Sequence, residues 1–199
     1  MKSSTNFQEG IPPGFFWFNE PRDYSAANGL HISTDPNTDY WQRTHYGFRN
    51  DNAHALLTKL AGDFRITTCA RFEPNNRYDQ CGLLVRLDEE NWIKASTEYI
   101  AGDRSKLGSV VTNLGYSDWA TTEISSTVRR MWYRISKRGS DFLLQNSFNG
   151  QTWLQMRITH MHAPFDELQV GVYACSPMDG RFQCTFEQIV IEDNEWKSQ

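Results

Sequence analysis

No apolar run in this sequence approaches the ~20 residues that a membrane-crossing helix needs. The Phe15–Phe18 stretch is too short and too aromatic for the core of a secretory leader, and no small-residue cleavage pattern follows it. Basic blocks are also missing. The 20 Lys and Arg are scattered among 24 Asp and Glu for a net charge of −4, which lacks the electrostatic footprint of a nucleic-acid binder and argues against docking on a membrane surface. There is no Asn-X-Ser/Thr sequon. None of the four cysteines, at 69, 81, 175 and 184, stands in Cys-X-X-Cys spacing, which excludes the usual zinc and thioredoxin patterns. All four lie in apolar runs and read as reduced core thiols. Together these absences lead us to expect a soluble cytoplasmic protein. Long stripes of 3.6-residue period are absent as well.

What the sequence has is rings and turns. Aromatics make up 14% of 199 residues, with seven Trp and twelve Phe, enough to build a sizeable core on pleated surfaces. Short β-rich runs alternate with turn signals. Residues 63–72, 81–87, 92–100, 131–137, 142–147, 168–175 and 182–191 read as strands. Asn149-Gly150 signals a type I′ hairpin with Asn149 left-handed, in a stretch similar to a sialidase Asp box. Residues 52–60 are the one helix candidate, although Leu56-Leu57-Thr58 also suits a strand. The expected architecture is all-β, a two-sheet antiparallel sandwich filling residues 14–192, with a loose arm at 1–13 and a fraying tail at 193–199.

Three stretches carry a resemblance: TDYWQRTHYGF at 38–48, YDQCGLLVR at 78–86 running into DEENWIK at 88–94, and ACSP at 174–177, with FWFNEP at 16–21 beside them. They resemble a bacterial and fungal family of unknown function that includes the fungal regulation-of-enolase protein, over nearly the whole chain. The resemblance implies a concanavalin A-like jelly roll, and for the fungal member a cytoplasmic role in controlling the glycolytic enzyme enolase. It implies no established enzymatic activity, and a fold shared with lectins and glucanases bears on function only by analogy.

Strand parity supplies the candidate site. Trp92, Lys94, Ser96 and Glu98 share one face, and Ile93, Ala95, Thr97 and Tyr99 the other. On the preceding strand Gln80, Gly82, Leu84 and Arg86 alternate with apolar Cys81, Leu83, Val85 and Leu87. If both apolar sets face the core, Arg86 falls opposite Trp92 and Gln80 opposite Glu98. Trp41, Arg43 and His45 alternate with Tyr40, Gln42, Thr44 and Tyr46. The expected cluster is therefore Trp41, Arg43, His45, Gln80, Arg86, Trp92, Lys94 and Glu98 on a concave sheet face, with Trp119 at its mouth. Rings beside directed donors and acceptors suit a sugar or a small anionic metabolite. The plain reading is a solvated outer face on which Lys94 and Glu98 form a weak pair.

Other chemistries find less support. A glycosidase needs two carboxyls ~5–10 Å apart, and no strand carries them at even spacing. Glu98 stands alone, with Asp79 as a conceivable partner. His160 and His162 would share a strand face but lack a third metal ligand. Asp35 to Asp39 has oxygen ligands for calcium, yet reads as a turn. Cys175-Ser176 has no nucleophile elbow around it. The expectation is a non-catalytic regulatory protein of carbohydrate metabolism, with no cofactor and no metal. It would bind a sugar, a small anionic metabolite, or a protein such as enolase. A carbohydrate-active enzyme and a pure protein–protein interaction module are the alternatives.

Overall fold

The computed structural model describes residues 3–196, and no helix occurs among them. In chain order the strands are β1 (Ser3–Thr5), β2 (Phe15–Phe18), β3 (Asp23–Ala26), β4 (Leu30–Ser33), β5 (Tyr40–Gln42) and β6 (Arg49–Asp51). There follow β7 (His54–Ala61), β8 (Phe64–Glu73), β9 (Gln80–Asp88), β10 (Asn91–Ala101), β11 (Arg104–Asn113) and β12 (Tyr116–Ser125). The last are β13 (Arg130–Arg138), β14 (Asp141–Ser147), β15 (Leu154–His160), β16 (Glu167–Cys175) and β17 (Gln183–Glu192).

Two large antiparallel sheets pack face to face as a concanavalin A-like sandwich. One has seven strands in the order β12-β11-β10-β9-β16-β7-β2. The other has eight, in the order β15-β14-β13-β8-β17-β4-β3, with β1 also paired to β17. The inner faces carry the apolar half of each alternating strand. Leu83, Val85, Ile93 and Ala95 meet Ile66, Met131, Tyr133 and Ile135, all fully buried. Each such aliphatic side chain contributes about 1.5–3 kcal/mol by leaving water. Tyr133 keeps its hydroxyl satisfied in this layer by donating to Thr97 Oγ1 at 2.7 Å, since an unpaired buried hydroxyl would be costly.

Residues 54–61 form β7 rather than a helix. Leu56 faces the inter-sheet core while Ala55 and Leu57 pack in a second cluster on the other face. A strand buried on both sides loses its alternation, so period alone cannot separate it from a helix.

The N-terminal segment is not a loose arm where it is described: Ser3–Thr5 pair with β17 and Phe7 is fully buried. Met1, Lys2 and residues 197–199 lie outside the described residues. Asn149 is not left-handed; only Gly150 has positive φ (74°). Asn149 Oδ1 instead accepts from the backbone N–H groups of Gln151 and Thr152, both at 2.9 Å, folding a longer loop without a tight two-residue turn. All four cysteines are free and buried.

A third, two-stranded sheet positions the site. β5 and β6 form a hairpin over the outer face of the seven-stranded sheet. The alternation of β5 ends at Gln42, because Arg43 (φ 56°) and His45 (φ 64°) adopt left-handed backbone and break strand parity.

Candidate functional site

The floor lies on the outer face of β9 and β10. Their register pairs Trp92 with Arg86 and Glu98 with Gln80. Lys94 Nζ is buried there and donates to Gln80 Oε1 at 3.0 Å and to Tyr40 O of the hairpin at 2.9 Å. Asp39 Oδ1 stands 3.7 Å from the same ammonium, which leaves one Lys94 N–H without a close acceptor. Gln80 Oε1 also accepts from Tyr173 at 2.9 Å, and Gln80 Nε2 donates to Glu98 Oε2 at 3.0 Å. Glu98 Oε1 is buried and has no partner among the described residues.

Aromatic side chains wall this floor. The hairpin brings Trp41, Tyr46 and Phe48 to one side, and β12 brings Trp119, whose ring meets Trp41 edge-on at 6.4 Å. Trp41 is fixed by its Nε1–H, which donates to Thr44 O at 3.0 Å. Lys106 Nζ lies 4.4 Å above the Trp119 ring. Gly108 gives that indole its space: a Cβ there would meet Ala120 O at 2.7 Å and Trp119 Nε1 at 3.4 Å. Between floor and walls lies a cavity of about 420 Å³, within the range of small-molecule sites.

Burial pushes the Glu98 carboxyl up to about 7. Asp39 adds to the rise, while Lys94 and Lys106 oppose it. Glu98 is therefore close to half protonated at neutral pH and offers both a donor and an acceptor form. Burial also raises the Cys175 thiol well above its ordinary value, which makes it an inert part of the packing, not a nucleophile.

Of the residues singled out from the sequence, Trp41, Gln80, Lys94, Glu98 and Trp119 line the cavity together. The other four do not join them. Arg43 turns away to Glu90 Oε1 at 2.9 Å. His45 does not line the cavity; its ring stands 4.7 Å from that of Tyr46. Arg86 is held by Asp51 Oδ2 at 2.7 Å and by the face of Phe18 at 4.2 Å, under the other end of the hairpin. Trp92 is not an exposed platform but is fully buried among Tyr40, Leu84 and Tyr173. The common cause is the hairpin, which covers the outer face and turns half of it into a second core.

Sequence reasoning missed Asp39, Tyr78 and Met178, which also line the cavity. Asp39 and Tyr78 stand within the motifs at 38–48 and 78–86, which was the available signal; nothing marked Met178. Asp39 also puts a second carboxyl into the lining that holds Glu98. Among the described residues no group of three or more His, Cys, Asp or Glu is placed to hold a metal. Asp35 instead takes ion pairs from Arg181 at 3.3 Å and Arg22 at 3.8 Å.

Residues 17–194 match the family described as protein of unknown function (DUF1349). The chain is 34% identical over 176 residues to Regulation of enolase protein 1 of Saccharomyces cerevisiae, covering 86% of each. A crystal structure of a functionally unknown protein from Saccharomyces cerevisiae superposes with a TM-score of 0.86 at 29% identity, covering 96% of this chain and all of that one. The GH43 protein BlXynB of Bacillus licheniformis reaches a TM-score of 0.77 at 14% identity, covering 96% of this chain but 39% of the enzyme; this is a likeness of fold alone.

Proposed function

The chain belongs to the DUF1349 family, and from that membership we propose that it serves a regulatory role related to enolase by binding a small polyhydroxylated ligand in the cavity under the β5–β6 hairpin. The family relative named for enolase regulation motivates the first half of this reading. The second half rests on one observation: Glu98 lines a ring-walled cavity, and its buried Oε1 has no partner among the described residues. A buried acceptor left unpaired costs ~1–3 kcal/mol, which a ligand hydroxyl recovers. A sugar ring suits the rest. Its C–H faces lie against Trp41 and Trp119, and its hydroxyls meet the spare Lys94 donor and Glu98 together. Two ammonium groups, Lys94 and Lys106, stand against Asp39 and a half-protonated Glu98. That near balance favours a neutral sugar over a small anion. The reading implies a cytoplasmic protein, which four free thiols fit.

Binding is tested by thermal shift with a panel of sugars and glycolytic intermediates, in which a true ligand raises Tm in proportion to occupancy. Stabilisation by sugars, lost in Glu98→Ala, supports the reading. A flat panel opposes it.

A second reading has its own observation, since Asp39 and Glu98 line one cavity and burial raises the Glu98 carboxyl to about 7. In it Glu98 protonates a glycosidic oxygen and Asp39 takes a proton from water. Turnover of aryl glycosides, abolished by Glu98→Gln, would establish it. A protein-docking reading instead uses the exposed collar of Tyr46, Phe48 and Met178. Enolase capture that survives Lys94→Ala with Glu98→Ala would favour that one.

A further inference from the structure

The cavity has neighbouring hollows on its β12 side. A second hollow of about 450 Å³ shares Trp41, Tyr46 and Trp119 with it and adds His45, Ser117 and Asp118. A third, of about 500 Å³, shares Asp118 and continues to Tyr116, Arg157, His160 and His162. β12 is the last strand of its sheet, and Arg157 of β15 reaches across to it, donating to Asp118 O at 3.2 Å and Oδ1 at 2.8 Å. We infer that these hollows are successive subsites and that the ligand is an oligosaccharide: one end sits over Lys94 and Glu98, and the chain leaves past Trp119, crosses β12 at the exposed Asp118, and ends at the His160–His162 corner. The inference rests on the reading of the cavity as a sugar site.

The chemistry along the path fits such a chain. Each hollow is of small-ligand size. Tyr46, stacked on Phe48 at 5.6 Å, and Tyr116, with Arg43 5.4 Å over its ring, each expose more than half their surface along the route. Trp41, Tyr46 and Trp119 line both of the first two hollows, so successive sugar units would meet aromatic rings in each. At the far corner Arg157 is held by Asp118 Oδ1 at 2.8 Å, a fixed pair of donor and acceptor. His160 Nδ1 is held by Asp141 Oδ1 at 2.6 Å, so its other ring nitrogen stays available to a hydroxyl, 5.3 Å between ring centres from His162. A protein partner would need a larger flat contact than this narrow route gives.

The test is a chain-length series. Glucose, xylose and their β-1,4-linked and α-1,4-linked oligomers up to the hexamer are titrated by calorimetry and followed by amide NMR. The inference predicts that affinity rises at least about tenfold from monomer to tetramer. It also predicts that residues 116–118 and 157–162 shift only with the longer chains. A His160→Ala, His162→Ala double variant, both positions being exposed, should keep the monomer affinity and lose the gain. Affinity that does not grow with length, or growth that survives the double variant, overturns the inference while leaving the cavity as a sugar site. No response of Trp41 or Trp119 to any saccharide overturns both.

Discussion

Gln80 Nε2 donates to Glu98 Oε2 at 3.0 Å, so one oxygen of the Glu98 carboxyl is satisfied by the register partner of its own strand pair. The orientation of that amide follows from its surroundings. Lys94 can only donate, and it faces Gln80 Oε1 at 3.0 Å, so the amide nitrogen must face Glu98. Gln80 thus joins a buried cation to a buried acid without letting them touch. Gln80→Leu should remove its bonds to Lys94, Tyr173 and Glu98, leaving Glu98 without a partner and Lys94 with Tyr40 O and the more distant Asp39, at about 2–4 kcal/mol in urea unfolding. A loss under 0.5 kcal/mol, the ~0.5 kcal/mol scale of ordinary surface changes, would mean that the bridge contributes little.

Glu98 makes stability depend on pH. Its folded value of about 7 lies above the ordinary 4.5. The contribution of the protonated acid is thus fully present below about pH 4.5 and is lost as pH rises through about 7. Complete loss amounts to about 3 kcal/mol. Glu98→Gln should flatten this slope and be at least as stable as the parent at pH 8. Urea midpoints at pH 5, 6, 7 and 8 report it, and parallel profiles for the two proteins would contradict it.

Arg86 acts as a clamp on the hairpin. Its guanidinium holds Asp51 of β6 at 2.7 Å with little exposure on either side chain. Arg86→Met leaves the Asp51 charge partly buried and unpaired, which should cost about 2–4 kcal/mol. Adding Asp51→Leu should recover part of it, since the pair is coupled. Strict additivity of the two changes would show that the pair does not act as a clamp.

The two tryptophans of the outer face should behave oppositely. Trp92→Ala empties a fully buried ring from the second core and should cost about 3–5 kcal/mol. Trp119→Ala removes a partly exposed wall and should change stability by about 1 kcal/mol or less, while weakening any sugar that raises Tm. Equal stability losses would place Trp119 in the core instead.

Seven of the strands, the two-sheet architecture and the register of the central pair were legible because alternation and turn chemistry are local, whereas β11 and β12 and the short strands before residue 54 were not read. Ile93 and Ala95 against Lys94 and Glu98 left one arrangement of β10, and β9 followed from its own apolar set. The hairpin was not legible. Its residues alternate like a strand up to Gln42, and the left-handed turns at Arg43 and His45 are reserved by no Gly or Asn at those positions. Without those turns Arg43 and His45 seemed to point with Trp41. Trp92 and Arg86 were misplaced for the same reason: a side chain on an outer face looks exposed until a distant segment is known to cover it. Asp39 was visible only as part of a turn, and its approach to Lys94 is a contact across 55 positions of sequence that no local pattern encodes.

The most direct test of the central claim is amide and indole NMR of the whole protein during titration with mono- and oligosaccharides. The account predicts saturable shifts at the Trp41 and Trp119 indole N–H groups and at the amides of residues 80, 94–98 and 106–109, all reduced by Glu98→Ala in a variant that remains folded. Saccharides that shift none of these, or that act only on the opposite sheet, would contradict it.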